Sequence, residues 1–171
     1  MVENQSAMCV RLCSPTTACA GEQLPENRWK ESKKNGERVR DEQGFRMRAA
    51  GVCLRHGPAE TQVLLVSGGK DGTQWVVPGG GIERDELPEQ AASRELEEEA
   101  GVVAQTNGLI GVFQDDNRKH RTTVFRMRVT EELPVWEDGQ RGRRREWMSL
   151  KDGLEVVKAS QKQILQAVMH Q

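Results

Sequence analysis

The pattern of apolar and polar positions changes character near residue 38. Residues 1–37 are rich in Glu, Lys, Asn, Ser and Pro and show no sustained period. Such a composition buries too little apolar surface to offset the entropy of ordering. This stretch is expected to be a disordered or loosely attached extension, with residues 38–171 as the folded domain. Residues 49–55 form a short apolar run, residues 63–66 a compact strand candidate, and Gly68-Gly69-Lys70-Asp71-Gly72 a turn. Trp75-Val76-Val77 runs into Pro78-Gly79-Gly80-Gly81, which reads as a loop. Residues 87–100 have helical spacing. Pro88 suits the first turn, Ala91, Ala92, Leu96 and Ala100 can share a core face, and Gly101 suits the terminator. Residues 109–113 and 122–129 are further strand candidates. The second sets Val124, Arg126 and Arg128 against Phe125, Met127 and Val129 and looks half-buried. Residues 145–148 read as a short strand and residues 154–169 as a helix with apolar Leu154, Val157, Ile164, Leu165 and Val168. Strands and helices interleave, so the expected class is α/β. There is no internal repeat.

One helix breaks the rules of helix electrostatics. Glu95, Glu98 and Glu99 fall within one turn, just after a glycine-rich bend. Residues three and four apart share a face, so these carboxylates repel one another. They also lie near the helix C-terminus, where the macrodipole disfavours negative charge. Most glutamate runs are solvated faces. A bound divalent cation would resolve this conflict, because Mg²⁺ seeks hard oxygen ligands. The full spacing is Gly80, five residues, Glu86, seven residues, then Arg94-Glu95-Leu96-Glu97-Glu98-Glu99-Ala100-Gly101-Val102. In this it resembles the Nudix box (residues 80–102) of the Nudix hydrolases. The resemblance implies a mixed β-sheet sandwiched between helices, and hydrolysis of a diphosphate linkage with Mg²⁺ or Mn²⁺. Glu95 and Glu99, stacked four apart, are the first-choice metal ligands, with the Gly79 carbonyl as a further one. Glu98 is the candidate base that activates water, and the roles of Glu95 and Glu98 could be exchanged. Arg94 is expected to orient carboxylates through an ion pair. Glu86 would support a second metal or cap the helix.

Composition narrows the partners. The chain has 171 residues, 30% of them charged, a net charge of −1 and only 4% aromatics. No apolar run approaches the ~20 residues that cross a membrane, and no secretory signal opens the chain. A cytoplasmic location is expected, with the nucleus as a second, and reduced thiols with it. Cys9, Cys13 and Cys19 lack the paired spacing of a zinc site. No RNA-binding motif is present, and neither a membrane nor a nucleic-acid partner is expected.

Substrate must be read outside the acidic helix. Arg118-Lys119-His120-Arg121 and Arg143-Arg144-Arg145 are basic clusters, Lys70 lies in the glycine turn, and Arg46 and Arg48 precede the first strand. Polyphosphates are held by such groups. The chain has no Tyr, three Phe and four Trp, which tilts recognition toward charge rather than base stacking. The RKHR and GRRREW segments, with the Trp75–Gly81 run, resemble the diphosphoinositol polyphosphate phosphohydrolases over about residues 38–150. That resemblance implies removal of the β-phosphate from diphosphoinositol polyphosphates and cleavage of diadenosine penta- and hexaphosphates. It places substrate contacts on Arg38, Arg46, Met47, Arg48, Gly68, Gly69, Lys70, Arg118, Lys119, His120 and Arg143. Near the C-terminus the family places a basic contact where this chain has Gln161 beside Lys162. The substrate would be a small-molecule polyphosphate and the protein a monomer. Alternatives are a Nudix hydrolase of other nucleoside-diphosphate-linked compounds, or a polyanion-binding module without catalysis.

Overall fold

The computed structural model describes residues 39–57, 59–69 and 72–170. They belong to one compact unit, Lys33–Gln171. The extension expected over residues 1–37, with Cys9, Cys13 and Cys19, and the expected contacts Arg38 and Lys70 lie outside the described residues. The elements are β1 (Arg46–His56), β2 (Thr61–Gly68), β3 (Gln74–Val76), β4 (Gly79–Gly81), α1 (Pro88–Ala100), β5 (Val102–Asp115), β6 (His120–Glu132), α2 (Glu137–Gln140), β7 (Arg145–Ser149), α3 (Leu150–Val156), a 3₁₀ turn (Ala159–Gln161) and α4 (Lys162–Met169). Among them no helix is long and apolar enough to cross a membrane.

The strands form a mixed sheet of order β3-β2-β1-β6-β5, with β4 added to β1 and β7 to β2. β1 runs parallel to β6, while its other pairings are antiparallel. One edge of β1 is shared. Arg48–Ala50 pair with β4, and Leu54–His56 pair with β2. The sheet is buried on both faces. Leu64, Val66, Phe125 and Met127 pack with Ala91, Ala92, Leu96 and Ala100 of α1. Val63, Leu65 and Val124 pack with Ile164, Leu165 and Val168 of α4. Two-sided burial explains why residues 63–66 of β2 read as a continuous apolar run rather than a clean alternation. The outcome is a mixed sheet between helices.

Helix α1 begins with Pro88, whose missing N–H loses nothing in a first turn, and the Gln90 side chain accepts from Leu87 N–H. It ends at Gly101, whose φ of 59° is left-handed and favours glycine. The last turn holds no basic residue of its own. Arg145 of β7 takes that place. It donates to the Ala100, Gly101 and Leu133 carbonyls at 2.7, 2.9 and 2.9 Å and stacks 4.4 Å from the Trp136 ring.

Two expected elements differ. Residues 79–81 are not loop but strand β4, because bare glycine backbone lets β1 and α1 approach closely: a Cβ on Gly79 would meet Ala50, and one on Gly81 would meet Arg46. The helix expected over residues 154–169 is broken into α3, the 3₁₀ turn and α4. Val157 is pulled into an extended conformation by a parallel bridge to Trp75, and Lys158 N–H donates to the Trp75 carbonyl at 2.9 Å.

Candidate active site

The acidic face of α1 lies against β4. Gly80 is the closest approach, since a Cβ there would collide with the Glu95 carboxylate. Arg94 organises the cluster. It grips Glu86 with two bonds of 2.8 and 2.9 Å, Glu95 at 3.0 Å and the Gly81 carbonyl at 2.9 Å. Its distance to Glu98 is 3.6 Å. Glu86 also accepts from the Glu83 N–H, so both its oxygens are tied within this network. Glu99 accepts from Gly79 N–H at 2.9 Å and pairs with Arg143 at 2.5 Å. The Gly79 carbonyl receives Arg48 at 2.6 Å.

The electrostatics of these carboxyls diverge. Burial, then the Glu99 charge, pushes the Glu95 carboxyl up to about 7, against the pull of Arg94. Glu99 is raised by burial despite Arg143 and the Gly79 N–H. Glu98 is raised by burial, with Glu137, Glu83 and Asp138 adding to it and Arg94 opposing. Burial also acts on Glu86, but the bonds from Arg94 and Glu83 prevail and hold it below the usual carboxylate range. Glu95 and Glu99 are therefore two largely buried carboxyls, 12% and 17% exposed, whose surroundings leave a deficit of stabilisation for negative charge. A divalent cation fits that deficit, and the donors beside it are hard oxygens: Glu95, Glu99 and the Gly79 carbonyl. Among the described residues no three His, Cys, Asp or Glu groups form a metal cluster by themselves.

Next to Glu99 opens a cleft of about 220 Å³. Of the expected substrate contacts it brings together Arg48, Gly68, Gly69, Arg118, His120 and Arg143. Burial, then Arg48 and Arg46, lowers the His120 imidazole below its ordinary range. The remaining expected contacts among the described residues, Arg46, Met47 and Lys119, sit apart from its lining. Arg46 lies against Gly81. Met47 packs on the α1-side core. Lys119, at a φ of 52°, places its ammonium 4.7 Å over the Phe45 ring. Of the second basic cluster, Arg143 faces the carboxylates while Arg145 serves the end of α1.

A family model for the NUDIX domain matches residues 45–168. The chain belongs to the Nudix family. It is 47% identical over 126 residues to diphosphoinositol polyphosphate phosphohydrolase 2 of Rattus norvegicus, covering 73% of this chain and 70% of that protein. It is 48% identical over 127 residues to diphosphoinositol polyphosphate phosphohydrolase 3-alpha of Mus musculus, covering 73% and 77%. Among solved structures, a C. elegans Ap4A hydrolase superposes with a TM-score of 0.58 at 18% identity, covering 72% of this chain and 96% of that one. The E. coli ORF135 protein superposes with a TM-score of 0.56 at 23% identity, covering 72% and 88%. At those identities the likeness speaks for the fold alone.

Within this Nudix fold the cleft also holds residues that sequence reasoning missed, among them Phe113, Lys158, Ser160 and Gln163. Phe113 offers one aromatic surface in the cleft, which Val76, Val77 and Ile164 also line. The residues from 158 onward were hidden because the segment read as one continuous helix, whereas the break at Val157 turns it toward the cleft. Gln161 lines the cleft too, but its side-chain carbonyl accepts from Val77 N–H at 3.0 Å and so stitches the turn to the sheet.

Proposed function

We propose that this Nudix hydrolase removes the β-phosphate from diphosphoinositol polyphosphates and cleaves diadenosine penta- and hexaphosphates in the same cleft. The observation that carries this is the junction of two unlike surfaces at Glu99. On one side lie the buried carboxyls of α1, on the other Arg48, Arg118, His120 and Arg143. A diphosphate resists attack because its oxygens are already negative, and this site confronts it with charge of both required kinds.

The roles follow from position. Glu95, Glu99 and the Gly79 carbonyl hold Mg²⁺ or Mn²⁺, which when bound neutralises phosphoryl oxygens. Glu98 takes a proton from water. Burial raises its carboxyl, which makes it a stronger base than an open-surface glutamate, and Arg94 lies 3.6 Å away to orient it. The water oxygen bonds to the β-phosphorus, and the bridging P–O bond breaks with its electron pair staying on the phosphate that remains attached to the inositol. Arg143 pairs with Glu99, so it can respond to events at both the carboxylates and the substrate. Arg48 spans the Gly79 carbonyl and the cleft. His120, held toward its neutral form, donates or accepts a hydrogen bond without adding a full charge.

The test is the ratio of kcat/KM for a diphosphoinositol pentakisphosphate over diadenosine hexaphosphate, with Mg²⁺ and the full-length protein. Robust turnover of both, with a ratio well above one, is expected. Little turnover of the inositol compound would move the substrate to another diphosphate while leaving the hydrolase chemistry in place.

A further inference from the structure

We infer that Lys158 is a phosphate-binding residue of the cleft, holding phosphates of the substrate that are not cleaved. The inference rests on the polyphosphate reading above. Lys158 lines the cleft together with Arg48, Arg118, His120 and Arg143. Its ammonium makes no hydrogen bond or ion pair with any of the described residues, although its backbone is firmly held. Its N–H donates to the Trp75 carbonyl at 2.9 Å, its carbonyl accepts from Gln161 N–H at 2.8 Å, and the preceding Val157 is buried. The fold thus fixes where this side chain starts and leaves its charge unspent.

The neighbouring charges say what it awaits. Burial, then the Arg118 charge and, behind the opposing pull of Asp115, the Arg48 charge draw the Lys158 ammonium below the ordinary lysine range. A lysine on open surface would turn into water, where like charges are screened. Here a half-buried lysine is kept beside two guanidiniums, an arrangement that a multiply charged anion stabilises. The influences on Glu99 come instead from Arg143, Gly79 and Asp138. Lys158 therefore belongs with the Arg48 and Arg118 side of the cleft, where the uncleaved part of a polyphosphate would lie. Gln161, engaged with Val77 N–H, and Lys162, which borders the adjoining groove with Asp115 and Asp116, do not duplicate it.

The experiment uses the full-length chain and its Lys158→Gln, Lys158→Arg and Lys151→Gln variants. Lys151 is exposed on α3 and serves as the control. Two quantities are read: kcat and KM for a diphosphoinositol pentakisphosphate with Mg²⁺, and the Kd of inositol hexakisphosphate, which carries phosphates without a diphosphate. Losing one charge-assisted hydrogen bond predicts KM and Kd about ten- to a hundredfold higher in Lys158→Gln. Its kcat should stay within about threefold, Lys158→Arg should recover most of the affinity, and Lys151→Gln should match the parent. A Lys158→Gln variant that binds both compounds as the parent does overturns the inference, as does a fall in kcat at constant KM. Failure of the parent itself to hydrolyse the inositol compound would instead count against the functional reading, and is seen without any variant.

Discussion

Gly80→Ala tests whether the glycine strand exists to admit Glu95. A Cβ at Gly80 would overlap all three atoms of the Glu95 carboxylate, and these side-chain atoms are its three nearest neighbours. The strain should therefore fall on the end of a flexible side chain, and the fold should survive. Moving the Glu95 carboxylate breaks its 3.0 Å bond from Arg94, a charge-assisted bond of about 1.5–3 kcal/mol. A forced rotamer adds about 0.5–1.5 kcal/mol. Against this, alanine is about 0.5–1 kcal/mol better than glycine within a strand, and Glu95 moves away from Glu99. The net is a loss of about 1–3 kcal/mol, which lowers Tm by roughly 3–10 °C in a domain of this size. Activity should suffer more. A misplacement of about 1 Å at a catalytic centre costs ~10²-fold, so kcat for phosphate release should fall at least that far. Thermal melting and a phosphate-release assay read both quantities, and the Glu95→Gln background supplies a double-mutant cycle. In that background Gly80→Ala should cost little more activity. Independent, multiplying losses would refute the reasoning, as would near-normal turnover of Gly80→Ala alone.

Three further outcomes are expected. Glu98→Gln should retain the melting temperature within a few degrees but lose ~10²–10⁴ in kcat, and near-normal steady-state turnover would remove Glu98 as the base. In metal-free protein, Glu95 has a folded-state pKa of about 7, above the ~4.3 of an unfolded glutamate. The folded state holds the extra proton, so this group's stabilisation is present below about 4.3 and lost as pH rises through about 7. Tm measured in EDTA should fall across that window, Mg²⁺ should reverse the fall, and Glu95→Gln should flatten it; a flat profile in the parent would contradict the assigned electrostatics. Arg145→Ala should cost about 2–4 kcal/mol in urea denaturation, because the Ala100 and Gly101 carbonyls at the end of α1 and the Leu133 carbonyl after β6 lose a charged donor, and Arg145→Lys should recover only part, since an ammonium lacks the planar fork.

Much of α1 was legible because its signals are local. Pro88, the Ala91–Ala92–Leu96–Ala100 face and Gly101 act through helix geometry that needs no partner. The clustered carboxylates were legible for the same reason: spacing alone puts them on one face. Strand β4 was not, because three glycines have no intrinsic reason to be extended. They become strand only when the Arg48–Ala50 segment of β1 supplies hydrogen-bond partners. The break at Val157 was likewise hidden, since its apolar period continues through residues 154–169 while the bridge to Trp75 is a long-range event. Basic clusters in the sequence gave charge without direction. Arg143 and Arg145 are two residues apart, yet one pairs with Glu99 and the other closes the end of α1.

By itself the sequence determined the α/β class and the acidic helix, and its fixed spacing carried the Nudix resemblance and the chemistry that resemblance implies, because periodicity and spacing are short-range properties. Tertiary structure alone decided which cations face the carboxylates. It turned Lys119 onto Phe45, set Lys158 in the cleft and left the Glu95 carboxyl buried beside Glu99. Side-chain direction and desolvation depend on which distant segments pack together, and no local pattern encodes that.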